Sequence, residues 1–203
     1  MRVLVISPHI DDAECGACGT IYRHILAKDS IYWHTIVSGG YSVPEEWSTY
    51  TLQKEFEEAM ATLGLKKYKL HDFNVDTLDR ITSLRDTIFR LWHDIEPDVA
   101  YVPWRFSRHQ DHRSVGDCAY QVSWGSKTDI RAYTVPNDFD GFRPSVFSEL
   151  TQQEFVKKMD VIHCYKSQFA SRKWFTDNAL LSFMSSMLQV ESCFREVGPN
   201  TSL

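Results

Sequence analysis

Short apolar runs that alternate with helix-period segments constrain this chain most. Residues 3–6 (Val3-Leu4-Val5-Ile6) are an apolar run stopped at Ser7-Pro8, which reads as a buried strand. Apolar positions then recur at Cys15, Cys18, Ile21, Tyr22, Ile25 and Leu26, a helical period with one buried face. The same alternation continues. Residues 31–37, 68–73, 99–102 and 130–135 read as strands. Leu52, Phe56, Met60 and Leu63 mark a helix that Gly64 would cap. Leu78, Ile81, Leu84, Ile88, Leu91 and Ile95 mark another, with Asp76 as its N-cap and Pro97 as its stop. A helix is expected over residues 111–122. A further one follows Thr151-Gln152-Gln153-Glu154, which has the form of a capping box. A last long helix is expected over residues 174–196, and residues 137–148 read as a substrate-facing loop. The pattern predicts one α/β domain over residues 1–203, a mainly parallel sheet with helices on both faces.

Composition excludes several function classes. The chain has 203 residues, 43% hydrophobic and 24% charged, enough for one core without disulfide staples. Its formal net charge of -5, with no basic block, argues against nucleic acid or an anionic membrane as partner. The apolar run at the start is too short for a membrane span or a signal-peptide core, so a cytoplasmic protein with reduced thiols is expected from its five cysteines. The sequence leaves room for a homo-oligomer and does not select one.

Two motifs carry chemistry, and each follows a predicted strand. In an open α/β sheet, ligands sit beyond the carboxyl ends of the strands. Pro8-His9-Ile10-Asp11-Asp12-Ala13-Glu14 lies there after the first strand. His9 and Asp12, three apart at the entry to a helix, can converge on one cation, since imidazole nitrogen and carboxylate oxygen are ordinary zinc ligands. Asp11, between them, can take a proton from water. The bland reading is a helix start with aspartates favourable to the dipole. The second motif, Arg108-His109-Gln110-Asp111-His112, offers a metal ligand and a proton-transfer group oriented by a carboxylate. Two such motifs at strand ends, roughly 100 residues apart, are hard to assign to coincidence.

Other features carry less. Cys15-Gly16-Ala17-Cys18 has the spacing of a redox or metal pair, but both thiols fall on the apolar stripe of the first helix. No Gly-x-Gly-x-x-Gly follows the first strand, which argues against a dinucleotide enzyme. His9-Ile10-Asp11 lacks the Pro-Cys-x-x-Cys partner of a nucleobase deaminase. Gly39-Gly40 reads as a turn or a substrate approach. His24, His34, His71, His93 and His163 read as structural or exposed, and Trp104, Arg105 and Arg143 as cleft-wall contacts.

With both motifs in view, the chain resembles the LmbE-like (PIG-L) family of zinc de-N-acetylases. The resemblance extends to Gly19-Thr20, to the Glu-rich helix ending Leu63-Gly64, and to Lys166-Ser167-Gln168. It implies a Rossmann-like α/β fold and hydrolysis of an N-acetyl group on a sugar-like small molecule, with Zn2+ as cofactor. It further implies His9, Asp12 and His112 as zinc ligands and Asp11 as general base. His109 would stabilise the oxyanion or protonate the leaving amine, and Asp111 would orient a histidine, expected to be His109. The sequence departs from the family at Ile10, where Pro is usual, and at Cys18, where Gly is common. Val190-Glu191-Ser192-Cys193-Phe194 only approximates the family's late aromatic-x-Glu-x-Phe element. The competing readings are hydrolysis of an ester or phosphoester at the same zinc, and a non-catalytic sugar-binding protein of the same fold.

Overall fold

The computed structural model describes residues 1–38, 50–74, 78, 82–136, 138, 141–173, 175–178, 180 and 190–196. The expected turn at Gly39-Gly40 and the expected cap Asp76 lie outside them.

The chain runs β1 (Arg2–Ser7), α1 (Asp12–Leu26), β2 (Ser30–Thr35), α2 (Thr51–Leu63), β3 (Tyr68–Leu70), α3 (Thr82–Ile95), β4 (Val99–Pro103), α4 (Gln110–Val122), β5 (Asp129–Tyr133), β6 (Val146–Glu149), α5 (Gln152–Ile162), α6 (Lys166–Ser171) and β7 (Val190–Glu196). The strands form one sheet in the order β3-β2-β1-β4-β5-β7-β6. β1 to β5 are mutually parallel, as expected, while β7 runs antiparallel to β5 and to β6. The chain leaves β1 in one direction to build β2 and β3, then returns to the other flank of β1 as β4 and β5. β1 and β4 are therefore neighbours at the switch point, where the loops after them diverge and leave a crevice.

Period-2 alternation along β1 feeds two cores. Val3 and Val5 face the layer of α1, α2 and α5, with Cys15, Cys18, Ile21, Trp33, Phe56, Met60, Val161 and Ile162. Leu4 and Ile6 face α3 and α4, with Leu84, Ile88, Trp92, Ile95, Val115 and Ala119. Burial of a side chain such as Phe56, which is 0% exposed, contributes about 2–3 kcal/mol, so the sheet is fixed from both faces. Local signals hold where they were strong. Gly64 adopts φ 85 at the C-cap of α2. Thr151 and Glu154 form a complete capping box on α5. Cys15 and Cys18 are buried free thiols on the inner face of α1, as packing predicts.

The two antiparallel strands correct the sequence reading. Val190–Glu196 is strand, not the end of a long helix, and Val146–Glu149, read as loop, is its partner. β6 has only four residues, its apolar pair Val146-Phe147 is adjacent and not alternating, and the pairing with β7 is non-local, so no local period marks them. Trp92, not Leu91, is the buried member of the α3 stripe.

Candidate active site

All six residues singled out from the two motifs meet in the crevice beyond β1 and β4. Ser7, the last residue of β1, uses its hydroxyl to donate to the His9 carbonyl (2.7 Å) and accept from the Ala13 amide (3.1 Å), turning the chain sharply into α1. Asp11 is the N-cap residue, yet it makes no side-chain cap bond and adopts φ 89, a left-handed conformation that costs a non-glycine residue about 1–3 kcal/mol. Its carboxylate is therefore not committed to the helix end, against the capping reading. The second motif is built on α4, whose N-cap is His109. The Asp111 amide donates to His109 Nδ1 at 3.2 Å, which leaves Nε2 to carry the proton of the neutral ring.

Three donor atoms form a tight triangle. Asp12 Oδ2 is 3.1 Å from His9 Nδ1 and 3.1 Å from His112 Nε2, and the two nitrogens are 3.3 Å apart. A tetrahedral cation with bonds of about 2.0–2.2 Å separates its ligands by roughly 3.3–3.6 Å, so the triangle is close to the size needed. His9, His109 and His112 also present nitrogens within 4.8 Å of one another. That set is looser, and one nitrogen of His109 already accepts from the chain, so the triangle with Asp12 is the better cation site.

Electrostatics agree. Burial opposes charge on His9, but hydrogen bonds to Asp111 and Asp12 outweigh it and raise its pKa to about 10. Burial likewise opposes charge on His112, and attraction to Asp12 with a hydrogen bond to Asp138 raises it to about 9. Burial works to raise Asp12, yet the two imidazoles hold it far below the usual carboxylate range. Asp11 is pushed up to about 7 by burial and by the adjacent Asp12, against the opposing charges of Arg172, His9 and His112. Four carboxylates (Asp11, Asp12, Asp111 and Asp138) thus surround two imidazoles that strongly favour positive charge. Such a cluster suits a cation. His109, half-buried, has its pKa lowered by burial and then by His112 and His9, which favours the neutral ring. Its ring stacks on His112 with centroids 4.8 Å apart.

One role is broader than expected. The Asp111 carboxylate binds His9, with Oδ2 2.9 Å from Nε2, while its main-chain amide donates to His109 Nδ1. Asp111 is 0% exposed, so the contact is fixed by packing. Two residues escaped the sequence reading. Asp138 lies 3.3 Å from His112 Nδ1, and Ser107 donates its hydroxyl to Asp138. The position of Asp138, just past the end of the fifth parallel strand, was the available signal. Of the suggested cleft-wall residues, Arg105 is turned to α4, paired with Asp117 at 3.0 Å and lying over the Tyr120 ring. Trp104 packs edge-on against Phe142. Arg143 donates to the Phe142 carbonyl. Outside the site, His34 and His71 touch at 3.1 Å and are not scattered singly.

Residues 4–123 match the family described as PIG-L, GlcNAc-PI de-N-acetylase, a segment that holds both motifs. The chain belongs to the PIG-L family. Among curated PIG-L relatives, it is 28% identical over 173 residues to the uncharacterized deacetylase YaiS of Escherichia coli, covering 81% of this chain and 90% of that one. It is 25% identical over 193 residues to the diacetylchitobiose deacetylase of Thermococcus kodakarensis, covering 85% and 72%. The solved N,N'-diacetylchitobiose deacetylase of Pyrococcus horikoshii superposes with a TM-score of 0.82 over 98% of this chain and 87% of that one, at 20% identity. This likeness shows a shared fold. Among the described residues, no helix is long and apolar enough to cross a membrane.

Proposed function

We propose that this chain removes the N-acetyl group from an N-acetylated sugar or sugar-containing small molecule, with one zinc ion held by His9, Asp12 and His112. The observation that carries the reading is the triangle of Asp12 Oδ2, His9 Nδ1 and His112 Nε2, with edges of 3.1, 3.1 and 3.3 Å, beside an uncommitted Asp11. Two imidazoles and one carboxylate suit zinc, and three protein ligands are the set that leaves a position for chemistry. Bound there, the ion supplies Lewis acidity to the amide carbonyl and makes water a better nucleophile near neutral pH.

The protein's own groups do the rest. The Asp11 carboxylate, free of the helix end and beside the donor triangle, accepts the proton of the attacking water. The Nε2–H of His109 donates to the oxygen on which negative charge develops. The proton held by Asp11 then passes to nitrogen as the C–N bond breaks, so water and amide become acetic acid and a primary amine, which ionise to acetate and ammonium at neutral pH. Asp111 supports both steps, holding His9 with its carboxylate and His109 with its amide. The sugar assignment is supported by the activity named for the Thermococcus relative. It is also supported by the acidic balance of the chain, which disfavours an anionic substrate. Free thiols at Cys15, Cys18, Cys118 and Cys164 suit a reducing compartment, the cytoplasm.

The test is zinc content together with release of primary amine from N-acetylglucosamine and diacetylchitobiose. About one zinc per chain and amine release that a chelator abolishes would support the reading. Zinc bound without amine release from any acetylated sugar, but with ester or phosphoester cleavage, would replace it. A chain that retains no metal after zinc is supplied would favour a sugar-binding role.

A further inference from the structure

Asp138 stands outside both motifs, on the connection that follows β5, and is 7% exposed. Its main chain is fixed on both sides. Its amide donates to the Val135 carbonyl at 3.0 Å, and its carbonyl accepts from the Thr134 hydroxyl. Its carboxylate then makes three contacts. Oδ2 is 3.3 Å from His112 Nδ1 and accepts the Ser107 hydroxyl, while Oδ1 accepts the Arg108 amide at 2.7 Å. Ser107 Oγ in turn accepts the His109 amide at 3.0 Å.

We propose that Asp138 is a positioning residue that acts through His112, and through Ser107 and Arg108 on the loop that carries His109. The proposal rests on the metal-dependent reading above. A neutral imidazole carries one N–H, and a carboxylate can only accept, so Asp138 selects the form of His112 protonated at Nδ1. The lone pair is then on Nε2, the nitrogen in the donor triangle. A carboxylate behind a metal-binding imidazole also fixes ring orientation and raises the basicity of the far nitrogen. His9 has the matching partner in Asp111, so each imidazole of the triangle is backed by its own carboxylate. The two supports differ in reach. Asp111 belongs to the second motif itself, whereas Asp138 comes from another part of the chain and binds the His109 loop with the same carboxylate. One side chain thereby couples an imidazole that holds the cation to the imidazole that donates a hydrogen bond to the developing oxyanion.

The test uses the zinc-loaded protein and the variants Asp138→Ala, Asp138→Asn and Ser107→Ala. Zinc affinity is measured by chelator competition, and the His112 Nδ1–H proton is observed by NMR with nitrogen-labelled histidine. Asp138→Ala should lose about 10–100-fold in zinc affinity and the slowly exchanging Nδ1–H signal. Asp138→Asn, whose amide oxygen still accepts, should recover much of the affinity and keep the signal. Ser107→Ala should bind zinc as the parent does, because the contact to His112 is intact. Zinc affinity of Asp138→Ala within about twofold of a metal-binding parent would overturn the role of Asp138 alone. Equal losses in Ser107→Ala and Asp138→Ala would also overturn it, by assigning the effect to the loop. A parent that binds no zinc would overturn the metal-dependent reading, and this proposal with it.

Discussion

The Nε2 atom of His9 lies 2.9 Å from Oδ2 of Asp111, so the imidazole of the first motif is held by a carboxylate from the second. His9 comes from the loop after β1 and Asp111 from the first turn of α4, the helix that follows β4, and these strands are neighbours at the switch point of the sheet. Parallel pairing of those strands is what brings them together. With Nε2 engaged, His9 turns Nδ1 toward Asp12 and His112. Asp111→Ala should therefore reduce zinc affinity by about 10–100-fold without removing any ligand. Chelator competition checks this. Unchanged affinity would mean that Asp12 alone, through its contacts to the His9 amide and ring, sets the orientation of His9.

Asp11 offers a test in which stability and activity move in opposite directions. Its φ of 89 is strained for an aspartate and relaxed for glycine, and its carboxylate is buried beside Asp12. Asp11→Gly should raise thermodynamic stability by about 1 kcal/mol. It should also lower turnover by about 10²–10⁴-fold. Asp11→Asn should lower turnover similarly with less gain in stability, and both should retain zinc. Denaturant titration, metal analysis and amine release together separate these effects. Near-parental turnover in either variant would show that another group is the base.

What was legible in the sequence was whatever a local period or a local cap encodes. β1 to β5 are parallel strands that begin as short apolar or aromatic runs closed by turn residues, and α1, α2, α4 and α5 carry stripes or caps that can be read within one window. The six motif residues were legible because strand ends in a parallel sheet share one edge, which makes sequence position a guide to spatial position. β6 and β7 were not, because their partners are distant and neither shows strong alternation. The choice of His9 by Asp111 was also hidden. Adjacency in sequence points to His109, whereas the contact to His9 depends on β1 and β4 being neighbours in the sheet. Asp138 belongs to no motif, and only the packing of the β5 end against His112 reveals it.

Gly116 makes close approach of α4 to β4 possible. A Cβ at this position would lie 2.7 Å from the Pro103 carbonyl oxygen and 2.9 Å from Arg105 Cα. Both are main-chain atoms that cannot rotate away. Ala is normally favoured over Gly inside a helix by about 1 kcal/mol, so the outcome has a clear sign to decide. The clash should win, with Gly116→Ala destabilising by about 1–3 kcal/mol. Because Arg105 begins the loop that leads to His109, activity should fall as well. Urea denaturation and amine release check both effects, and a stabilised variant would show that α4 can shift without cost.

Glu154 should set part of the acid limb of stability. Its carboxylate takes a bidentate pair of bonds from Arg23, Nε to Oε1 and Nη2 to Oε2, each 2.7 Å, and accepts the Thr151 amide at 2.8 Å. The Arg23 hydrogen bonds, against the cost of burial and with help from Thr151, lower its pKa from 4.5 to about 2. A carboxyl depressed in the folded state binds its proton more readily when unfolded. Its stabilisation is therefore complete above about pH 4.5 and is lost as pH falls toward about 2. Arg23 is 42% exposed, so solvent screens the pair and its contribution near neutral pH is about 1 kcal/mol. Glu154→Gln should remove that amount at pH 7 and flatten the decline between pH 4.5 and 2. Denaturant titrations across this range read the difference directly. Parallel pH curves for parent and variant would place the acid sensitivity in other carboxylates.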